Sequence, residues 1–211
     1  MKKNSTILAG IIGVLIILYG IIISSNNYLG CSQQQYSVLN HFVSELGQYS
    51  CSTKANRFNF SLIIGTPFLI FFYLNIIPKS SRKINLLFRL IILAMGSSAV
   101  LVGCFSMDSI IPHLVSANIF FLLCFFACLL FIIYFQLIKR QEVSKYFMFS
   151  AIILSISLLI NIIQFINLDQ NMLNILKDRP PVLFICIIEW VSLAAMLLFF
   201  IFSVNHYKNK D

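Results

Sequence analysis

The chain reads as six long apolar runs separated by polar connections. They extend over about Ile7 to Ser24, Phe58 to Ile77, Asn85 to Phe105, His113 to Ile138, Tyr146 to Leu168 and Val182 to Val204. A bilayer hydrocarbon core about 30 Å thick is crossed by roughly 20 apolar residues in a helix. Each run is long enough, the fourth with some tilt. Their Ile, Leu and Phe content would favour strands in water. In lipid, only helices and closed barrels satisfy their own backbone, and uninterrupted apolar runs contradict the alternation of a barrel strand. The pattern therefore predicts an all-α, polytopic six-helix membrane bundle, a single integral membrane domain over residues 1–211.

The connection over residues 25–57 is the one sizeable segment outside the spans. Within it, YSVLNHFVSELG has the pattern of a short amphipathic helix between the first two spans, with Ser37 as N-cap and Gly47 as C-terminal stop. Val38, Leu39, Phe42, Val43 and Leu46 recur on one face; Asn40, His41, Ser44, Glu45 and Gln48 share the other. Such a helix lies along the interface or caps the bundle. The spacing sets His41 and Glu45 on adjacent turns.

Composition agrees with the pattern: 59% of residues are hydrophobic and 10% charged, against about 25% charged in ordinary globular chains. A net charge of +8 does not point to nucleic acid, because no basic face or stripe accompanies it. The charge instead reports topology. Lys2, Lys3, Lys79, Arg82, Lys83, Arg89, Lys139, Arg140, Lys145, Lys208 and Lys210 fall on one side of alternating spans; Lys54, Arg57, Lys177 and Arg179 fall on the other. The positive-inside rule places both termini in the cytoplasm. The first span is too long for a signal-peptide core and lacks a small-x-small cleavage site, so it is expected to remain uncleaved.

The acids are distributed the other way. Glu45, Asp108, Asp169 and Asp178 map outside and Glu189 to the outer part of the sixth span, leaving Glu142 and Asp211 inside; His41 and His113 are also outside. Cys31 and Cys51 flank the amphipathic segment, and in an oxidising compartment they can close a disulfide. Cys104, Cys124, Cys128 and Cys186 read as small apolar packing residues. Glu189 lies about 10 Å inside its helix, too deep to reach water from a lipid-facing position, so it is expected to face the bundle interior as a functional group. Trp190 fits an aromatic belt. Ser157, Asn161 and Gln164 form a polar stripe on the fifth helix, and Gly96, Ser97, Ser98 and Gly103 predict close packing of the third. Asp108 or Ser109 is placed to cap the fourth helix, with Pro112 in its first turn and Ser116 one turn below His113.

The segments NHFVSELG, RFNFSLIIGTPF and VLVGCFSMDSIIPHLVSAN resemble a bacterial family, the six-helix membrane proteins known as domain of unknown function nine-nine-eight. The shared features are a Ser-acid-Leu-Gly element (Ser44, Glu45, Leu46, Gly47), a Phe-Asn pair opening the second helix (Phe58, Asn59) and an acid shortly before a His (Asp108, His113). The family's usual aspartate is a glutamate here, which lengthens the carboxylate arm. The resemblance implies a bacterial inner membrane. A more distant similarity in plan to eukaryotic FRAG/DRAM-type membrane proteins implies lipid handling by analogy of fold.

Two readings follow, both with membrane lipids as the expected partners. In one, an outward-facing site hydrolyses or transfers a lipid or lipid-linked substrate. His41, Asp108 and His113 bind a divalent metal or act in acid–base chemistry, Glu45 or Glu189 is the base, and Ser44, Asn161 and Gln164 help bind. In the other, the protein is a non-enzymatic lipid-binding, assembly or small-substrate transport component, and the polar residues tie the cap to the helix ends. The second is preferred. No HExxH or GxSxG spacing is present, and no midplane charges or broken helix pair suggest a transporter.

Overall fold

The computed structural model describes residues 2–31, 35–77, 81–137, 144–166 and 179–209. The six expected spans are six helices: α1 (Lys2–Asn26), α2 (Ala55–Ile76), α3 (Arg82–Cys104), α4 (Ile110–Leu137), α5 (Lys145–Ile166) and α6 (Phe184–Lys208). All are long and apolar enough to cross a membrane, and the protein is a multi-pass integral membrane protein. The expected ends of the fourth and fifth spans, Ile138 and Leu168, lie outside the described residues, as do Lys79, Lys139, Arg140, Glu142, Asp169, Lys177, Asp178, Lys210 and Asp211.

Each helix packs on the next in sequence, from α1 on α2 to α5 on α6. The sixth returns against the second and fourth: Phe200 meets Phe72 at 5.1 Å between ring centroids, and Phe199 meets Tyr73 at 6.4 Å and Phe131 at 5.6 Å. One core of Ala117, Phe121, Cys124, Cys128, Leu154, Leu158 and Ala195 joins α4, α5 and α6. Leu8, Ile11, Leu15, Tyr19 and Ile22 of α1 are exposed; their three- and four-residue spacing makes one stripe, the lipid-facing side of that helix. On another side of α1, Gly13 meets Gly65 of α2. A Cβ on either would come within 2.9 Å of the other's carbonyl oxygen, so only glycines permit this approach. The packing expected of α3 is present at Gly96, set against Ile70, at Gly103, set against the Asn59 backbone, and at the buried Ser98, whereas Ser97 is exposed.

The 25–57 connection folds over one end of the bundle. After Asn26 the chain makes an antiparallel bridge from Tyr28 to Ser52, and the Cys51 carbonyl accepts from the amides of Leu29 and Gly30. Cys31 and Cys51 are joined as a disulfide.

The amphipathic helix expected over residues 37–47 does not form as such. Ser37 opens a turn, its carbonyl accepting from the Asn40 and His41 amides, and helical structure is confined to a 3-10 segment, Val43–Gly47. The physical reason lies in what is covered. Val38 and Leu39, assigned to the buried face, are exposed, whereas His41 and Glu45, assigned to the polar face, are 3% and 1% exposed. Partners on both sides of the segment, rather than one apolar surface below it, set its backbone.

Candidate functional site

The most buried charge in the capped end is Glu45. It is the third residue of the 3-10 segment, and one carboxylate oxygen, Oε1, accepts from the Phe42 amide at the start of that segment (2.8 Å). Arg179 reaches it from just before α6, with Nη1 on Oε1 at 2.9 Å and Nη2 on Oε2 at 2.8 Å. Two parallel N–H···O bonds between a guanidinium and a carboxylate are the strongest arrangement available to an ion pair. Tyr28 adds its hydroxyl to Oε2 at 3.1 Å. Burial, reinforced by Glu45, pushes the Tyr28 phenol up, so it stays a donor. Burial acts against the charge of Arg179, but its bonds to Glu45 outweigh burial and raise its pKa. The same Nη1 donates to the Asn40 carbonyl at 2.8 Å, and Asn40 Nδ2 returns a bond to the Pro180 carbonyl at 3.2 Å.

Glu189, on the second turn of α6, is buried in the interior as expected. Its Oε2 accepts from the Val43 amide at 2.8 Å, one of the N–H groups that the first turn of a short helix leaves without an internal partner. Next to it, Trp190 donates Nε1–H to the His41 carbonyl at 3.2 Å and so tethers the cap. His41 itself lies between Tyr28 and Tyr36, each at 5.3 Å between ring centroids, and its Nδ1 accepts from the Ser37 amide. Burial, with the nearby Arg179 charge, outweighs Glu45 and holds the imidazole below its ordinary pKa. The ring is neutral near pH 7.

Asp108 and His113 work at the other side of the cap. Asp108 does not cap α4: it accepts from the Tyr49 amide (2.7 Å), the Ser50 amide (3.2 Å) and the Ser106 hydroxyl (2.9 Å). Partial burial acts to raise its pKa, but the bonds from Ser50, Ser106 and Tyr49 outweigh it and hold the carboxyl below its ordinary value. His113, buried in the first turn of α4, donates Nδ1–H to the Phe105 carbonyl at 2.7 Å, an acceptor left open where α3 ends. Asp108 and His113 thus turn to different partners. Asn59 of α2 donates to the Gly47 carbonyl at 2.9 Å. A Cβ on Gly47 would collide with that Asn59 side chain and with the Phe58 ring, so the Phe-Asn pair and the glycine require each other.

The structure therefore brings Glu189 of α6 against the part of the cap that carries His41 and Glu45 and ties Asp108 to the cap's outer edge. Ser44 donates to the Met107 sulfur. Asn161 lies on α5, fully buried, and donates to Ser192 Oγ at 2.6 Å and the Ile188 carbonyl at 3.3 Å, linking α5 to α6. Its Oδ1 and the Oε1 of Gln164 are buried without a hydrogen-bond partner, while Ser157 bonds only within its own helix. Among the described residues no group of three His, Cys, Asp or Glu side chains is placed to hold a metal ion. Arg179, Tyr28 and Trp190 are the contributors that sequence reasoning missed. Arg179 could have been singled out as one of only two arginines on the base-poor side, immediately before two prolines and a span.

A family model described as "Protein of unknown function (DUF998)" matches residues 11–204. The chain belongs to that family. No curated protein and no solved structure matches it. Within that range Glu45 and Asn59 fasten the cap to Arg179, just before α6, and to α2, Asp108 fastens it to the connection between α3 and α4, and His113 ties α4 to the end of α3.

Proposed function

We propose that this DUF998 protein is a non-enzymatic membrane protein that binds lipid, or supports membrane assembly, through a capped end facing away from the cytoplasm. One observation carries the reading: the carboxylates of the capped end are engaged in holding it together. Glu45 accepts from Arg179, Phe42 and Tyr28, Asp108 from Tyr49, Ser50 and Ser106, and Glu189 from Val43. A general base has to reach the proton it removes, and these oxygens already face structural donors. Around this locked network, Leu29, Val38, Leu39, Ile111 and Val182 are exposed, an apolar rim at the depth where acyl chains meet headgroups.

The test is lipid analysis of purified protein. Native mass spectrometry is expected to find phospholipid retained, and Leu39→Asn with Ile111→Asn to lower that retention severalfold. Incubation with labelled phospholipid is expected to return it unchanged. A product whose formation is lost in Glu189→Gln would overturn the reading and establish a lipid hydrolase or transferase.

A further inference from the structure

The end of the bundle opposite the cap carries an open cleft of about 480 Å³ whose walls, among the described residues, are Arg82, Asn85, Leu86 and Arg89 of α3. Arg82 flanks the span, as topological arginines ordinarily do. Arg89 does not. It lies seven residues further along α3, about 10 Å at 1.5 Å per residue, within the helix that crosses the membrane. Its side is the lipid-facing one: Leu86, Leu90 and Leu93 on the same stripe are exposed, and so is Arg89 itself.

A guanidinium on a lipid-facing surface at that depth is costly, and such residues normally turn to an interior or pair with an acid. Neither occurs: among the described residues the ion pair present joins Arg179 to Glu45 at the other end. Helix geometry indicates what relieves the cost. Cα–Cβ bonds tilt toward the helix N-terminus, so Arg89 reaches back toward Arg82 and the headgroup layer. Two guanidinium groups two turns apart on one face, both lining the cleft, with apolar residues continuing below them, match a phosphate whose acyl chains run along the helix.

We propose that Arg82 and Arg89 form a binding site for the phosphate of an anionic phospholipid in the leaflet at the basic end, its acyl chain lying on Leu86, Leu90 and Leu93. The site is distant from the capped end and stands whether or not that end binds lipid. Free phosphate shares the recognised group but has nothing to place on the leucine stripe.

The experiment is native mass spectrometry of the full chain, released from detergent in the presence of phosphatidylglycerol, phosphatidylcholine or inorganic phosphate. Phosphatidylglycerol is expected to be retained in preference to phosphatidylcholine, with inorganic phosphate not displacing it at equal concentration. Arg82→Gln and Arg89→Gln should each lower retention about fivefold, the effect of one basic residue at an anionic surface. Lys208→Gln, which removes a charge from the same end of the bundle, should leave it unchanged. Equal retention of the two lipids by the wild-type chain, displacement by inorganic phosphate, or an equal loss in Lys208→Gln would overturn the proposal.

Discussion

Glu45 is 1% exposed and its partner Arg179 11%, and two buried charges are stable only while each satisfies the other. The desolvation of such a pair is large, so the pair adds little net stability, but removing one partner leaves an uncompensated buried charge. Glu45→Ala and Arg179→Ala are therefore each expected to cost about 3–5 kcal/mol, read as a lower unfolding midpoint in detergent. The two losses should not add, because the second deletion removes the orphan that the first created. Replacing both with apolar residues should restore part of the stability. Recovery stays incomplete because Glu45 also serves Tyr28 and the Phe42 amide, which the double variant leaves unsatisfied. A fully additive double variant would show that the pair is not a unit. Glu45→Asp should fall between wild type and Glu45→Ala, its shorter arm losing the two-point grip on Arg179 while keeping the charge.

Among the elements, the cap is the one whose character the sequence misrepresents, and the spans are the ones it conveys. Apolar runs identify α1 to α6 because lipid leaves the backbone no alternative to a helix. No such compulsion acts on residues 37–47, where the apolar and polar halves of the pattern suggest a helix on a flat interface. His41 and Glu45 are instead covered by Tyr28, Tyr36 and Arg179, from positions up to 134 residues away in the chain; local periodicity contains nothing about them. Asn161 was legible because a polar residue in a span must find a helix to bond. The neutral His41 gives the cap a pH dependence. Its pKa in the folded protein is depressed, so its contribution to stability is complete above about pH 6.5, the ordinary imidazole value, and is lost as the pH falls toward the lower folded value. Asp108 is depressed as well, but its contribution disappears only below about pH 3.9, outside that window. Amide protection factors over residues 35–52, with the intrinsic slowing of exchange at lower pH divided out, should fall between about pH 7 and pH 5. His41→Gln should flatten that response; the same acid-side loosening in this variant would remove His41 as its origin.

The molecule as a whole has a charge asymmetry sharper than its net +8 conveys. Lys2, Lys3, Arg82, Lys83, Arg89, Lys145 and Lys208 belong to one end, and Lys54, Arg57 and Arg179 to the capped end. The positive-inside rule counts Lys and Arg whether or not they are paired, and seven against three among the described residues predict an extracytoplasmic cap with both termini in the cytoplasm. The paired Cys31 and Cys51 agree with this assignment, since disulfides persist where the compartment is oxidising. The orientation is testable in intact cells with a membrane-impermeant maleimide, scored above the background of the native thiols. Lys54→Cys should react without permeabilisation, because residue 54 is exposed on the cap. Lys208→Cys, exposed in the last turn of α6, should react only after the cells are opened. The reverse pattern would place the cap, its disulfide and its apolar rim in the cytoplasm. It would also move the Arg82–Arg89 cleft to the opposite leaflet, where the negative surface potential that favours an anionic lipid there is absent.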